Sequence, residues 1–153
     1  MICNMEVTVK KIGVIGLGII GGSIVKAVKR KGLCGTVVAY DHDTNTMELA
    51  LKEGTIHQAA GGIDDTFRGC EIVFVCVPVK KIPEIVKQLN GVVDPDCILT
   101  DVGSTKADVM EAVRNINLSC RFIGGHPMAG SEASGYKASR HTLLENAYYV
   151  LTP

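Results

Sequence analysis

KKIGVIGLGIIGGSIVKAVKR, residues 10–30, runs from a short apolar strand (Ile12, Val14, Ile15) through a glycine turn into a helix. Gly16, Gly18 and Gly21 stand in G-x-G-x-x-G spacing, and each has a separate physical task. Gly16 permits the tight turn, Gly18 lets the backbone approach a pyrophosphate with no Cβ in the way, and Gly21 lets the helix lie close on the strand. The phosphates then meet unpaired N–H groups at the positive end of the helix, around Ile19 and Ile20. In a chain with 17 glycines the spacing alone is weak, and the flanking pattern gives it weight. Ile20, Ile24, Ala27 and Val28 share one helical face. Lys26, Lys29, Arg30 and Lys31 crowd the last turns, where cations suit the helix dipole, and Gly32 supplies a stop.

A second apolar run, residues 36–40, ends in Asp41, about twenty residues beyond Gly21, where a dinucleotide fold places the carboxylate that accepts hydrogen bonds from the adenosine ribose. Taken alone, Asp41 is equally a strand-end turn residue. Asp41 would repel a 2′-phosphate, and residues 42–47 contain no Arg or Lys to pair with one, so NAD is expected over NADP.

Outward from this unit, strands and helices alternate. Asn45 and Glu48 in capping-box spacing open a short helix that Gly54 ends. A short third strand is expected within residues 56–60. Residues 71–77 (EIVFVCV) form a nearly continuous apolar run that suits a strand covered on both faces, with Pro78 ending it. Pro83 opens the next helix, with Ile82, Ile85, Val86 and Leu89 at helical spacing. Residues 97–100 read as a strand ending at Asp101, and Val109, Ala112, Val113 and Ile116 mark a helix. Two further strands are expected at residues 120–123 and 147–151. The pattern predicts an α/β fold built on a doubly wound, mostly parallel sheet. Ligands in such sheets bind at the carboxyl ends of the strands, which points to the loops after Gly16, Asp41, Val77, Asp101 and Gly124.

The length of 153 residues is that of one domain. Sixteen basic residues balance sixteen acidic ones, which gives no electrostatic footprint for nucleic acid or an anionic membrane surface. No apolar run approaches the length of a membrane span, and the opening residues MICNMEVTVKK lack a signal-peptide core. None of the six cysteines (Cys3, Cys34, Cys70, Cys76, Cys97, Cys120) forms a C-x-x-C pair, and no histidine has finger spacing. They are expected to be reduced, structural thiols of a cytoplasmic protein with no metal site.

Two loops carry unusual chemistry. In TDVGSTK, residues 100–106, the turn at Gly103 presents Ser104 just before a helix, as an N-cap or as an active-site hydroxyl. In FIGGHPMAGSEASG, residues 122–135, His126 leaves the strand in a glycine-rich loop at the ligand edge, and Pro127 biases it towards an extended conformation. His126 is the candidate catalyst. His42, His57 and His141 have no comparable setting and are expected in solvent. Glu132 either caps a helix start or faces a substrate.

GLGIIGGS (16–23), YD (40–41), CVPV (76–79), DVGSTK (101–106) and GGHPMAGSEASG (124–135), in this order and spacing, resemble the nucleotide-binding half of the prephenate dehydrogenase family. The similarity covers residues 9–153, leaving 1–8 as an N-terminal extension. It implies a Rossmann NAD-binding domain and the NAD-dependent conversion of prephenate to 4-hydroxyphenylpyruvate with loss of carbon dioxide, or of arogenate to tyrosine, in tyrosine biosynthesis. It puts the catalytic histidine on His126, its partner serine on Ser104, and the nicotinamide near Pro78 and Val79. Cofactor contact is also expected at Asp101 and substrate contact at Glu132. The chemistry implied needs neither metal nor covalent nucleophile. The family pattern continues into a helical domain that forms a homodimer and supplies positive charge for the substrate carboxylates. The chain is therefore expected to be part of a longer enzyme and, alone, weakly active or inactive. A silent NAD-sensing module and a 3-hydroxyacid-type dehydrogenase are the alternatives; GGHPMAG argues against the second.

Overall fold

The computed structural model describes residues 9–153, so Cys3 and the N-terminal extension lie outside the described residues. In chain order the elements are β1 (Val9–Ile15), α1 (Ile19–Lys31), β2 (Cys34–Tyr40), α2 (Thr44–Lys52), β3 (Gln58–Ala59), β4 (Ile72–Val75), α3 (Ile82–Leu89), β5 (Ile98–Asp101), α4 (Ala107–Arg114), β6 (Arg121–Pro127) and β7 (Tyr149–Thr152). Short 3-10 turns cover Asp65–Phe67, Val79–Lys81 and Tyr136–Ala138.

One sheet in the order β3-β2-β1-β4-β5-β6-β7 organises the fold, parallel except for β7, which runs against β6. The chain reverses its direction of sheet growth between β1 and β4, which is the switch point where such sheets open a crevice. Ile15 pairs with both Tyr40 and Val75, and Val75 pairs with Asp101, so four strands end in one row. His126 lies beyond that row on β6.

Alternation along the strands feeds two cores. Val14, Val37 and Ala39 pack with Ile24, Val25, Met47 and Ala50 of α1 and α2 on one face. Ile15, Val38, Val73 and Leu99 pack with Ile82, Val86, Val109 and Val113 of α3 and α4 on the other. Each fully buried Val or Ile removes apolar surface worth roughly 1.5–3 kcal/mol from water, so neither face of the sheet is free to turn outward.

The structure revises several boundaries. Asp43, not Asn45, caps α2: its carboxylate accepts the Asn45 N–H at 3.1 Å and the Thr46 hydroxyl at 2.7 Å. A carboxylate does the same capping work as an amide and adds negative charge at the positive helix end. Ile116 falls after α4 has ended. β6 is longer than residues 120–123, because β7 folds back and pairs Gly124 through Pro127 with Thr152 through Tyr149. His126 is consequently a strand residue.

Candidate functional site at the carboxyl edge of the sheet

The turn after β1 is made by missing atoms. Gly16 has φ +91°, and a Cβ there would collide with the Cys76 carbonyl; a Cβ on Gly21 would collide with the carbonyl of Gly16. A Cβ on Gly18 would meet nothing within 4 Å. Gly16 and Gly21 are thus demanded by the protein's own packing, whereas Gly18 faces open space. Gly18 is also the N-cap residue of α1 and offers no side chain to its leading N–H groups. Such an end suits a phosphate, and the residues present fit a dinucleotide.

Asp41 helps to build the same turn. Its Oδ2 accepts the Leu17 N–H at 2.7 Å, and its Oδ1 accepts the Asp43 N–H at 2.9 Å, with His42 Nδ1 at 3.1 Å. Oδ2, with one partner, has a second lone pair to offer. Asp41 looks into a cleft of about 250 Å³ bounded by Gly16, Tyr40, Val77, Lys81 and Ile85. Lys81 is the residue that sequence reasoning missed: it lies forty positions along the chain, and only the crossover from β2 through β1 to β4 brings it, with Glu84, into the same cleft as Asp41. Pro78 and Val79 form the neighbouring turn, where Val79 Cγ2 would stand 3.1 Å from a Cβ on Gly103. The turn after β4 and the turn after β5 therefore abut.

Asp101 ends β5 with 0% exposure. Its Oδ2 accepts the Gly103 N–H at 2.9 Å and pairs with the Lys106 ammonium, and its Oδ1 accepts the Gly125 N–H at 3.1 Å. This sealed carboxylate, with both oxygens engaged, binds the Ser104 loop to the His126 strand. A Cβ on Gly125 would lie 2.6 Å from the Asp101 carbonyl and 2.8 Å from the Tyr149 ring, which explains the glycine.

Ser104 is exposed and does not cap α4, whose N-cap position is Lys106 without a side-chain bond. His126 is half-buried on β6 opposite Val150. The Asp101 network brings their segments together, but no Ser104–His126 hydrogen bond forms among the described residues. Glu132 is exposed and caps nothing; the Ser131 hydroxyl accepts the Ala133 N–H instead. His42, His57 and His141 are exposed, and His57 Nδ1 also accepts the Val37 N–H at 2.9 Å. Cys34, Cys70, Cys76, Cys97 and Cys120 are free thiols. Burial pushes Cys70 up to about 11 and Cys97 up to about 12, so neither is a thiolate at neutral pH. Among the described residues no three His, Cys, Asp or Glu side chains converge as metal ligands, and no helix is long and apolar enough to cross a membrane.

A parallel sheet with a glycine turn opening a helix at its switch point, and a carboxylate one strand away, defines a dinucleotide-binding domain of the Rossmann class. Within that class the chain belongs to the prephenate dehydrogenase family, whose nucleotide-binding domain matches residues 24–153. It is 36% identical to the prephenate dehydrogenase of Bacillus subtilis over 90% of this chain and 38% of the relative. It is 33% identical to the prephenate dehydrogenase of A. aeolicus, solved in complex with hydroxyphenyl propionate and NAD+, covering 97% of this chain and 52% of that one at a TM-score of 0.88. The Synechocystis arogenate dehydrogenase is 34% identical, covering 94% and 50% at a TM-score of 0.85. The chain thus spans about two fifths to one half of the length of these relatives.

Proposed function

We propose that this chain is the NAD-binding portion of a longer dehydrogenase that converts prephenate to 4-hydroxyphenylpyruvate, or arogenate to tyrosine, with release of carbon dioxide. The observation that carries the reading is the open cradle at Gly18, set on the same sheet edge as His126. The names of the relatives, and the NAD+ complex of the A. aeolicus enzyme, support it.

In this reading Gly16, Gly18, Ile19, Ile20 and Gly21 hold the pyrophosphate, Asp41 holds the adenosine ribose, and Pro78 and Val79 flank the nicotinamide. NAD supplies the hydride acceptor when bound. An imidazole nitrogen of His126 takes the proton of the ring hydroxyl, and Ser104 orients that ring. Asp101 acts one step back, holding the Gly103 turn and the Gly125 strand at fixed separation. Glu132 faces the substrate. Residues 9–153 form the dinucleotide domain; a helical domain elsewhere in the longer protein supplies cations for the substrate carboxylates and forms a homodimer in the cytoplasm.

Calorimetric titration of the 153-residue chain tests the reading. NAD should bind and NADP should bind at least about tenfold more weakly, since a 2′-phosphate meets the Asp41 carboxylate. Equal or tighter NADP binding overturns the assignment of Asp41. Full steady-state turnover of prephenate by the chain alone overturns the requirement for a second domain.

A further inference from the structure

A second cleft, of about 740 Å³, opens at the far end of α1 from the glycine turn, between the last turns of α1, the chain just after α2, and residues 139–142. Its walls carry Lys26, Lys29, Arg30 and Arg140 against the single carboxylate of Glu53. That carboxylate is already engaged, accepting the Tyr136 hydroxyl at 2.7 Å. Lys26 donates to the Tyr136 and Ser139 carbonyls at 3.3 and 3.1 Å, and Lys29 donates to the Glu53 carbonyl. Carbonyls satisfy the ammonium hydrogen bonds but leave the charge in place. Neither Arg30 nor Arg140 makes an ion pair among the described residues.

The dipole at the end of α1 accounts for Lys29 and Arg30. It does not account for Arg140, which belongs to no helix. Arg140 is delivered by a strap, residues 136–140, anchored on α1. Ser23 Oγ accepts the Arg140 N–H at 3.0 Å, and Gly22 lies so close that a Cβ there would stand 2.6 Å from Ser139 Oγ. Tyr136, the first residue of the strap, also shares a 2.7 Å hydrogen bond with Thr55, and Lys26 sits 4.3 Å from its ring centre. Fixing the backbone at the arginine itself places a second guanidinium across the cleft that Arg30 lines.

We infer that this cleft is a binding site for a small polyphosphate anion, such as an organic di- or triphosphate, gripped by the guanidiniums of Arg30 and Arg140 with Lys26 and Lys29 behind. Planar guanidinium forks match phosphate oxygens bidentately. Four cationic groups against one carboxylate call for a ligand with more than one charge, and the volume lies in the range of small-molecule sites. A ligand spanning α1 and the strap would pin the segment that continues the His126 and Glu132 loop. The site stands independently of the proposed reaction.

Tripolyphosphate, titrated by calorimetry into the chain at low ionic strength, tests the inference. With the Gly18 cradle filled by saturating NAD, one-site binding is expected, weakened at least tenfold in Arg30→Ala/Arg140→Ala; Arg140→Lys should fall between. Lys87→Ala, on the exposed face of α3, should bind as the parent does. Both arginines are exposed, so the double variant should keep the parent's circular dichroism and unliganded melting midpoint. If it does not, Arg30→Ala alone decides the matter by the same tenfold criterion. Absence of binding at millimolar tripolyphosphate, displacement by NAD, or equal loss in Lys87→Ala overturns the site.

Discussion

The two halves of the sheet edge are prepared in opposite ways. After β1 the surface is shaped by omission: Gly16 and Gly21 lack Cβ atoms because carbonyls occupy that space, and Gly18 lacks one where nothing of the protein does. After β5 the surface is shaped by burial of a charge, with Asp101 tying Gly103, Lys106 and Gly125 into one unit. The first arrangement leaves N–H groups free for a ligand. The second consumes its polar groups internally, and the residues it serves, Ser104 and His126, project from it.

The largest effect should come from the projecting residues. In the longer enzyme proposed above, His126→Asn should lower kcat by about 10²- to 10⁴-fold with NAD affinity nearly unchanged, if His126 is the proton acceptor proposed. Ser104→Ala should cost less. A raised NAD dissociation constant with kcat intact would move His126 into the cofactor pocket and erase the contrast between the halves.

Next comes the buried charge. Asp101→Ala leaves Lys106 unpaired and two N–H groups without their acceptor, so unfolding free energy should fall by about 3–5 kcal/mol. Urea denaturation measures it. A loss within about 0.5 kcal/mol, typical of surface substitutions, would show that the Asp101 network holds nothing together.

The glycines separate the two meanings of omission. Gly16→Ala is strained at φ +91° and meets backbone, so it should cost about 1–3 kcal/mol or more and abolish NAD binding. Gly18→Ala should melt close to the parent yet bind NAD about tenfold or more weakly, since its new methyl stands where a phosphate would. Should both lose the same stability, Gly18 is a packing residue too.

Asp41→Asn is the mildest. An amide oxygen still accepts the Leu17 N–H, its NH2 loses the bond from the Asp43 N–H, and one negative charge leaves the cleft. Paired NAD and NADP titrations should show the NAD preference shrinking by about tenfold, or roughly 1.4 kcal/mol. An unchanged preference would mean that discrimination lies outside this cleft.

The contrast also marks what could be read from the chain. The glycine turn was legible because its parts lie within six residues and each obeys a local steric rule. The sheet followed from alternating strand and helix patterns, and Asp41 from its place at a strand end. The partners of the Asp101 carboxylate could not be read locally, since its bond from the Gly125 N–H depends on a register set twenty-four residues away. The extension of β6 through Gly124, Gly125 and Pro127 reads locally as loop, and only pairing with β7 makes it strand. β7 itself runs antiparallel, in keeping with the lack of an α-helix between residues 128 and 148 to carry a parallel crossover. Lys81 had no local signal at all; it acquires its setting from elements remote in the chain.

The two margins of the sheet differ as well. β3 offers only Gln58 and Ala59, too short to template another chain, whereas β7 presents Tyr149 through Thr152 with Val150 48% and Leu151 60% exposed. Tyr148, 83% exposed, stands beside them. Short or charged edges resist strand addition, and long apolar ones invite it. Among the described residues β7 is the margin that governs colloidal behaviour: aggregation of the 153-residue chain on storage should start along it, and a single lysine at Val150 should delay it where a lysine at Gln58 does nothing.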